Sequence, residues 1–302
     1  MSAVQTLYLA GVNSAFALAV PLGAVLYFRK VRVPRPPVGT FNGRDIAVMM
    51  GFVLALPFLY LALPGAALPV VLCLVFAGGL TVGYQPVVAR NLLRWSAILA
   101  LLATDFTSRL LLGGNSPVYW LANSCVVGLI VVSATNLNVQ GGMRLRNIAW
   151  FVLLLGAYDL TFATVLPLTQ RLADAIQGYP FAPSAGLRIG DLGAVIGMGD
   201  LLAYALFTTA AYKAYGAAGL RTALPLVVVF GALAPAVAPP VIGWLTGHTP
   251  SLIPAQVCFA PAAFIGYLVL RRHGPERRMR DYLAPAEARP TPAMAGAVEP
   301  AA

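Results

Sequence analysis

Long apolar runs broken by short polar segments set the pattern of this chain. Nine runs stand out, over residues 5–28, 46–63, 66–86, 95–113, 117–136, 148–168, 192–213, 222–246 and 252–270. A helix needs about 20 apolar residues to cross roughly 30 Å of hydrocarbon at 1.5 Å per residue. Each run is of that order, so the pattern predicts an all-α integral membrane protein with nine transmembrane helices. Only the turn Pro64-Gly65 divides the second run from the third. The first run has no basic leader and exceeds a signal-peptide core in length, so it reads as a true span.

The polar segments predict orientation. Basic residues concentrate on the cytoplasmic side of membrane proteins. With nine spans and the N-terminus outside, 17 of the 20 Lys and Arg fall inside, leaving only Arg109, Arg171 and Arg188 outside. An even number of spans breaks this alternation. An N-out, C-in topology in the cell membrane follows as an expectation. The loop from Arg29 to Arg44 is basic and Pro-rich, as suits an anchor at an anionic lipid surface. Residues 271–302 are rich in Arg, Pro, Ala and Glu, which predicts a disordered cytosolic tail. The expected organisation is a membrane domain over 1–270, with spans one to five in 1–147 and spans six to nine in 148–270.

Composition agrees with this reading. Of the 302 residues, 59% are hydrophobic and 10% charged. Soluble domains carry about 25% charged residues. The net charge of +10 is accounted for by loops and tail, so no nucleic-acid partner is implied. Cys73, Cys125 and Cys258 lie singly within apolar runs, and His248 and His273 stand alone. No disulfide framework, metal site or cofactor is expected.

Candidate chemistry lies with the acids. A carboxylate in hydrocarbon costs several kcal/mol unless it is protonated, paired or hydrated. Of ten acidic residues, only Asp105, Asp159 and Asp200 fall well inside apolar runs. Arg109 follows Asp105 by four residues, on the same helix face, which predicts an internal ion pair. Asp159 and Asp200 have no basic neighbour in sequence and sit on consecutive, antiparallel spans, where they can meet at similar depth. Two facing carboxyls in a low dielectric share one proton. The ionised member can then take a proton from water while the neutral member donates to a peptide carbonyl. That is peptide hydrolysis without a metal or a covalent intermediate. Gly197 and Gly199 remove side chains where a substrate backbone must approach.

These residues resemble a known family. Tyr158-Asp159 on one span and Gly197-Met198-Gly199-Asp200 on the next match the YD and GxGD signatures of the presenilin and signal peptide peptidase family of intramembrane aspartyl proteases. The family also carries Pro-Ala-Leu at the start of its ninth span. Here Pro254-Ala255-Gln256 stands there, with Gln256 in place of leucine. The resemblance is specific over residues 150–270 and architectural before that. It implies Asp159 and Asp200 as the catalytic pair, with Tyr158, Gly197, Met198 and Gly199 in support. It also implies that Pro254, Ala255 and Gln256 place the substrate. Substrates would be transmembrane helices or remnant signal peptides entering with the N-terminus inside, and an obligate protein partner is not implied.

The stretch Gly186–Val195 alternates Leu187 and Ile189 with Arg188 and Gly190, which suits a strand that pairs with an unwound substrate. Two rival readings use the same acids. An ion-coupled secondary transporter also places carboxylates at the midplane, although no matching halves are visible in this sequence. A prepilin or preflagellin peptidase also uses GxGD, with the partner acid on an earlier helix, which would be Asp105.

Overall fold

The computed structural model describes residues 2–33, 41, 43–65, 67–164, 179–190, 192–247 and 253–283. Helices dominate. They are α1 (Ala3–Lys30), α2 (Gly43–Ala62), α3 (Ala67–Tyr84), α4 (Asn91–Leu112), α5 (Pro117–Gln140) and α6 (Leu145–Thr164). A hairpin follows, of β1 (Ser184–Ile189) and β2 (Leu192–Gly197). Then come α7 (Met198–Tyr215), the long α8 (Ala217–Thr246), α9 (Ala255–Arg271) and the short α10 (Met279–Leu283).

Seven of these helices, α1 to α6 and α8, are long and apolar enough to cross a membrane. Their outer faces are greasy: Phe52 is 68% exposed, Leu74 67% and Trp244 84%. Side chains like these in such numbers need lipid, because water would leave apolar area of this extent uncovered.

α7 does not reach the same hydropathy, and its position explains why. It packs against α1, α5, α6, α8 and α9, and Leu201, Tyr204, Leu206, Phe207 and Ala210 are fully buried. A helix enclosed by other helices needs no apolar outer face, so it can carry Asp200, Thr208, Thr209 and Lys213. Lys213 is 1% exposed, and its ammonium donates to the carbonyl of Met143 at 2.5 Å. α9 is apolar too, but at 17 residues it is shorter than the seven.

Three expectations change. Residues 192–197, placed at the start of a span by hydropathy, form β2, and the helix begins only at Met198 with Gly197 as its N-cap. Glycines at 193 and 197 weaken helix, and the β-branched Val195 and Ile196 favour the extended chain. The predicted Asp105–Arg109 ion pair is absent. Asp105 is fully buried and instead accepts the backbone N–H of Phe181 at 3.0 Å, while the Arg109 guanidinium lies 5.5 Å over the Tyr119 ring. A buried backbone N–H in a loop needs an acceptor, and a carboxylate on the neighbouring helix supplies one. Finally, residues 271–283 of the expected tail are ordered. Residues 284–302 lie outside the described residues, as do residues 165–178 between α6 and β1.

The ordered tail ties helix ends together. Glu276 accepts the backbone N–H of Leu145 at 2.6 Å and of Arg146 at 3.4 Å, at the start of α6. Arg277 donates to the carbonyls of Ala214 at 2.9 Å and Tyr212 at 3.4 Å, at the end of α7. A carboxylate at a helix N-terminus and a guanidinium at a C-terminus each complement the helix dipole. At that end of the bundle Gln140 also clasps Val31 and Val33. Arg29, Arg32, Arg144 and Lys213 therefore gather with the tail at one end, and the hairpin lies at the other, beside the start of α1 and the end of α4.

Candidate active site

The site forms where α6, α7 and α9 meet, with β2 leading into α7. Asp159 lies near the end of α6 and Asp200 in the first turn of α7. Both are partly buried, on helices that pack against each other, and the charge of Asp200 acts on Asp159. Asp105 is not among the groups that act on either. Tyr204, one turn beyond Asp200, feels both carboxyls.

Close packing brings the two helices' partners together. A Cβ on Gly156, one turn before Asp159, would lie 2.6 Å from the Ala260 Cβ and 3.0 Å from the carbonyl oxygen of Gln256. Only glycine lets α6 approach α9 this closely. α9 in turn meets α7 through Phe259, whose ring stands edge-on to Tyr204 with centroids 4.6 Å apart. Tyr204 is anchored at its far end. Its hydroxyl donates to the carbonyl of Gly231 at 2.8 Å. Pro235 has no N–H to offer that carbonyl from four residues on, and the helix widens to a π-turn over Val227–Leu233. Irregularities of this kind expose acceptors within a helix.

The sequence-identified residues fall as follows. Tyr158 lies beside Asp159, with its ring tilted on Phe162 at 4.3 Å. Gly197 caps α7, and a Cβ there would sit 3.2 Å from Oδ2 of Asp200. Its glycine character therefore leaves room for the Asp200 carboxyl itself. Gly199 is exposed and has open space around its Cα, while Met198 packs on the core. Pro254 is the N-cap of α9, Ala255 is its first residue, and Gln256 is 3% exposed. The Gln256 amide reaches Asp200 directly, with Nε2 donating to Oδ1 at 2.9 Å.

The hairpin leads straight into Asp200. β1 and β2 pair antiparallel with Ser184 opposite Gly197 and Ile189 opposite Leu192, and Gly190 takes the turn at φ 59°. The outer edge of β1 is held by α5. Asn123 donates to the carbonyls of Ala182 and Ser184, and the Ser124 hydroxyl both accepts from the N–H of Gly186 and donates to its carbonyl. β2 has no strand on its other side among the described residues, and Gly193 and Val195 are exposed. A strand edge that ends three residues before an acid is a backbone template beside a potential catalytic group.

Sequence reading missed Gly156, Tyr204, Asn123 and Ser124. Gly156, three residues before Asp159 on an apolar helix, carried a readable signal of close packing. The side chains of Asn123 and Ser124 showed only as polar residues within a run. Among the described residues no group of three or more His, Cys, Asp or Glu could hold a metal.

Fold and site together define a helical, multi-pass membrane protein with one acid on each of two packed helices, α6 and α7. No protein-family model matches the chain, and no curated protein matches it significantly.

Proposed function

We propose that this protein is an intramembrane aspartyl protease of the presenilin and signal peptide peptidase type, with Asp159 and Asp200 as its catalytic pair. The observation that carries the reading is that α6 and α7 pack together with one acid on each, the charge of Asp200 acting on Asp159. Water between them would lose a proton to the ionised acid as its oxygen attacks the scissile carbonyl. The protonated acid would hydrogen-bond to, and then protonate, the developing oxyanion. The edge of β2 away from β1, which carries no further strand among the described residues, supports a substrate held in extended form, which a peptide bond must adopt before water can reach it. In this reading α7 and α9 are spans as well, giving nine, with the N-terminus outside and the Arg-rich end facing the cytosol. Substrates are transmembrane segments or remnant signal peptides, and no cofactor is needed.

The test is cleavage of a model transmembrane peptide by the purified protein in detergent. Wild type is expected to cleave, and Asp159→Asn and Asp200→Asn to be inactive while keeping the wild-type melting temperature. Asp105→Asn is expected to retain cleavage. Activity that survives either of the first two substitutions would overturn the assignment. Loss through Asp105→Asn alone would favour the prepilin-peptidase pairing. Proton-coupled uptake without cleavage would favour a transporter.

A further inference from the structure

Gln256 sits where the two acid-bearing helices converge. Its backbone carbonyl lies against Gly156 of α6, and its side-chain amide hydrogen-bonds Asp200 of α7. Pro254 fixes the start of α9 two residues earlier, at φ −61° and ψ 132°, so the amide is carried on a rigid turn. The side chain is buried, and its Oε1 has no hydrogen-bond partner. Gly197 leaves Oδ2 of Asp200 uncrowded. Asp159 has no corresponding side-chain donor among the described residues.

We propose that Gln256 is a positioning residue that makes the aspartate pair unequal. Its N–H donates to Oδ1 of Asp200, so Asp200 is held as the ionised acceptor and the shared proton resides on Asp159. The inference rests on the protease reading. A donor to the charged form of one of two otherwise similar acids separates their roles. Asp200 takes the proton from water as the new C–O bond forms. Asp159 gives its proton to the carbonyl oxygen, and a gem-diol results. On collapse the C–N bond breaks and the nitrogen receives the proton from Asp200. One diol hydroxyl returns its proton to Asp159, so the pair ends as it began. The free Oε1 offers an acceptor beside Asp200 for the second hydrogen of the attacking water. The other titratable groups facing the pair are Tyr158 on α6 and Tyr204 on α7, with Cys258 of α9 beside Tyr204. None of these supplies a charge in the working pH range.

The experiment compares wild type with Gln256→Met, which keeps the length of the side chain and loses the donor. The acid limb of the kcat/KM profile is expected to move up by about one to two pH units, the size of one hydrogen bond to a charged group. KM is expected to stay within about threefold. In parallel, infrared difference spectra follow carboxyl protonation in the Asp159→Asn background with and without Gln256→Met. That readout needs no turnover, and it is expected to show Asp200 ionising at higher pH without the amide. Gln256→Asn, too short to span 2.9 Å from the same backbone, should behave as Gln256→Met does. An unmoved pH profile and spectrum, with any change confined to KM, would make Gln256 a substrate contact and overturn the proposal. Cleavage that persists in Asp200→Asn would instead sink the protease reading beneath it.

Discussion

Substituting Gly156 tests whether the approach of α6 to α9 sets the geometry of the acids. On an isolated helix, Gly156→Ala would gain about 1 kcal/mol of helix propensity. Here the added Cβ would sit 2.6 Å from the Cβ of Ala260, against about 3.5–4.0 Å for carbon atoms in contact. The two helices must part by roughly 1 Å at that level, an overpacking cost of about 1–3 kcal/mol. Crowding therefore matches or exceeds the propensity gain. Melting in detergent should fall by a few degrees or stay level, but not rise. The larger effect is on activity. Asp159 lies one turn away, and a 1 Å misplacement of reacting groups costs about 10²-fold. Ala260→Gly removes the opposing Cβ, so the double variant should recover much of the lost cleavage, leaving only the 3.0 Å approach to the Gln256 carbonyl. A double-mutant cycle reads this coupling directly. A Gly156→Ala protein that melts higher and cleaves as wild type would refute the close approach. So would a cycle with no coupling.

Other substitutions probe the parts that hold the site. Ser124→Ala leaves both backbone groups of Gly186 without their hydroxyl partner, at a cost of about 1–3 kcal/mol. Faster amide exchange over Ser184–Gly197 is expected, and unchanged exchange would argue against this clamp. Asp105→Ala orphans the buried N–H of Phe181 and should lower the melting temperature while cleavage persists below it. Asp105→Asn, which keeps an acceptor, should melt closer to wild type, and equal melting of both variants would contradict the bond. Arg277→Ala frees the carbonyls of Ala214 and Tyr212. It should speed proteolysis near residue 215, and a wild-type digestion pattern would count against the clasp.

How much of this was legible in the sequence depends on what each residue faces. The outer helices were readable because lipid imposes one rule along their whole length, so apolar runs marked α1 to α6 and α8 within a few residues. The hairpin was half-readable. Alternation around Leu187 and Ile189 signalled a strand, and Gly190-Asp191 between two extended segments is a two-residue hairpin signature. Hydropathy nevertheless merged β2 with α7, because Leu192, Ala194, Val195 and Ile196 are as apolar as a span. Asp105 was misassigned because helix spacing makes Arg109 its nearest charge in sequence, while its partner, the N–H of Phe181, is 76 residues away. No local pattern encodes such a contact. Gln256 stands out in sequence only as a departure from a motif, and its bond to Asp200 crosses 56 positions.

α7 shows why polar residues gather where hydropathy is weakest. An acid, two threonines and a lysine on one helix would each be costly against lipid. Enclosed by α1, α5, α6, α8 and α9, they face protein instead, and each charge has a specific neighbour: Asp200 has Gln256, and Lys213 has the carbonyl of Met143. The outer helices thus supply apolar mass, and the inner one is released from that duty. Its two ends are fixed separately, by the hairpin before Met198 and by Arg277 after Tyr212. A helix held at both ends cannot slide along its axis without breaking buried hydrogen bonds.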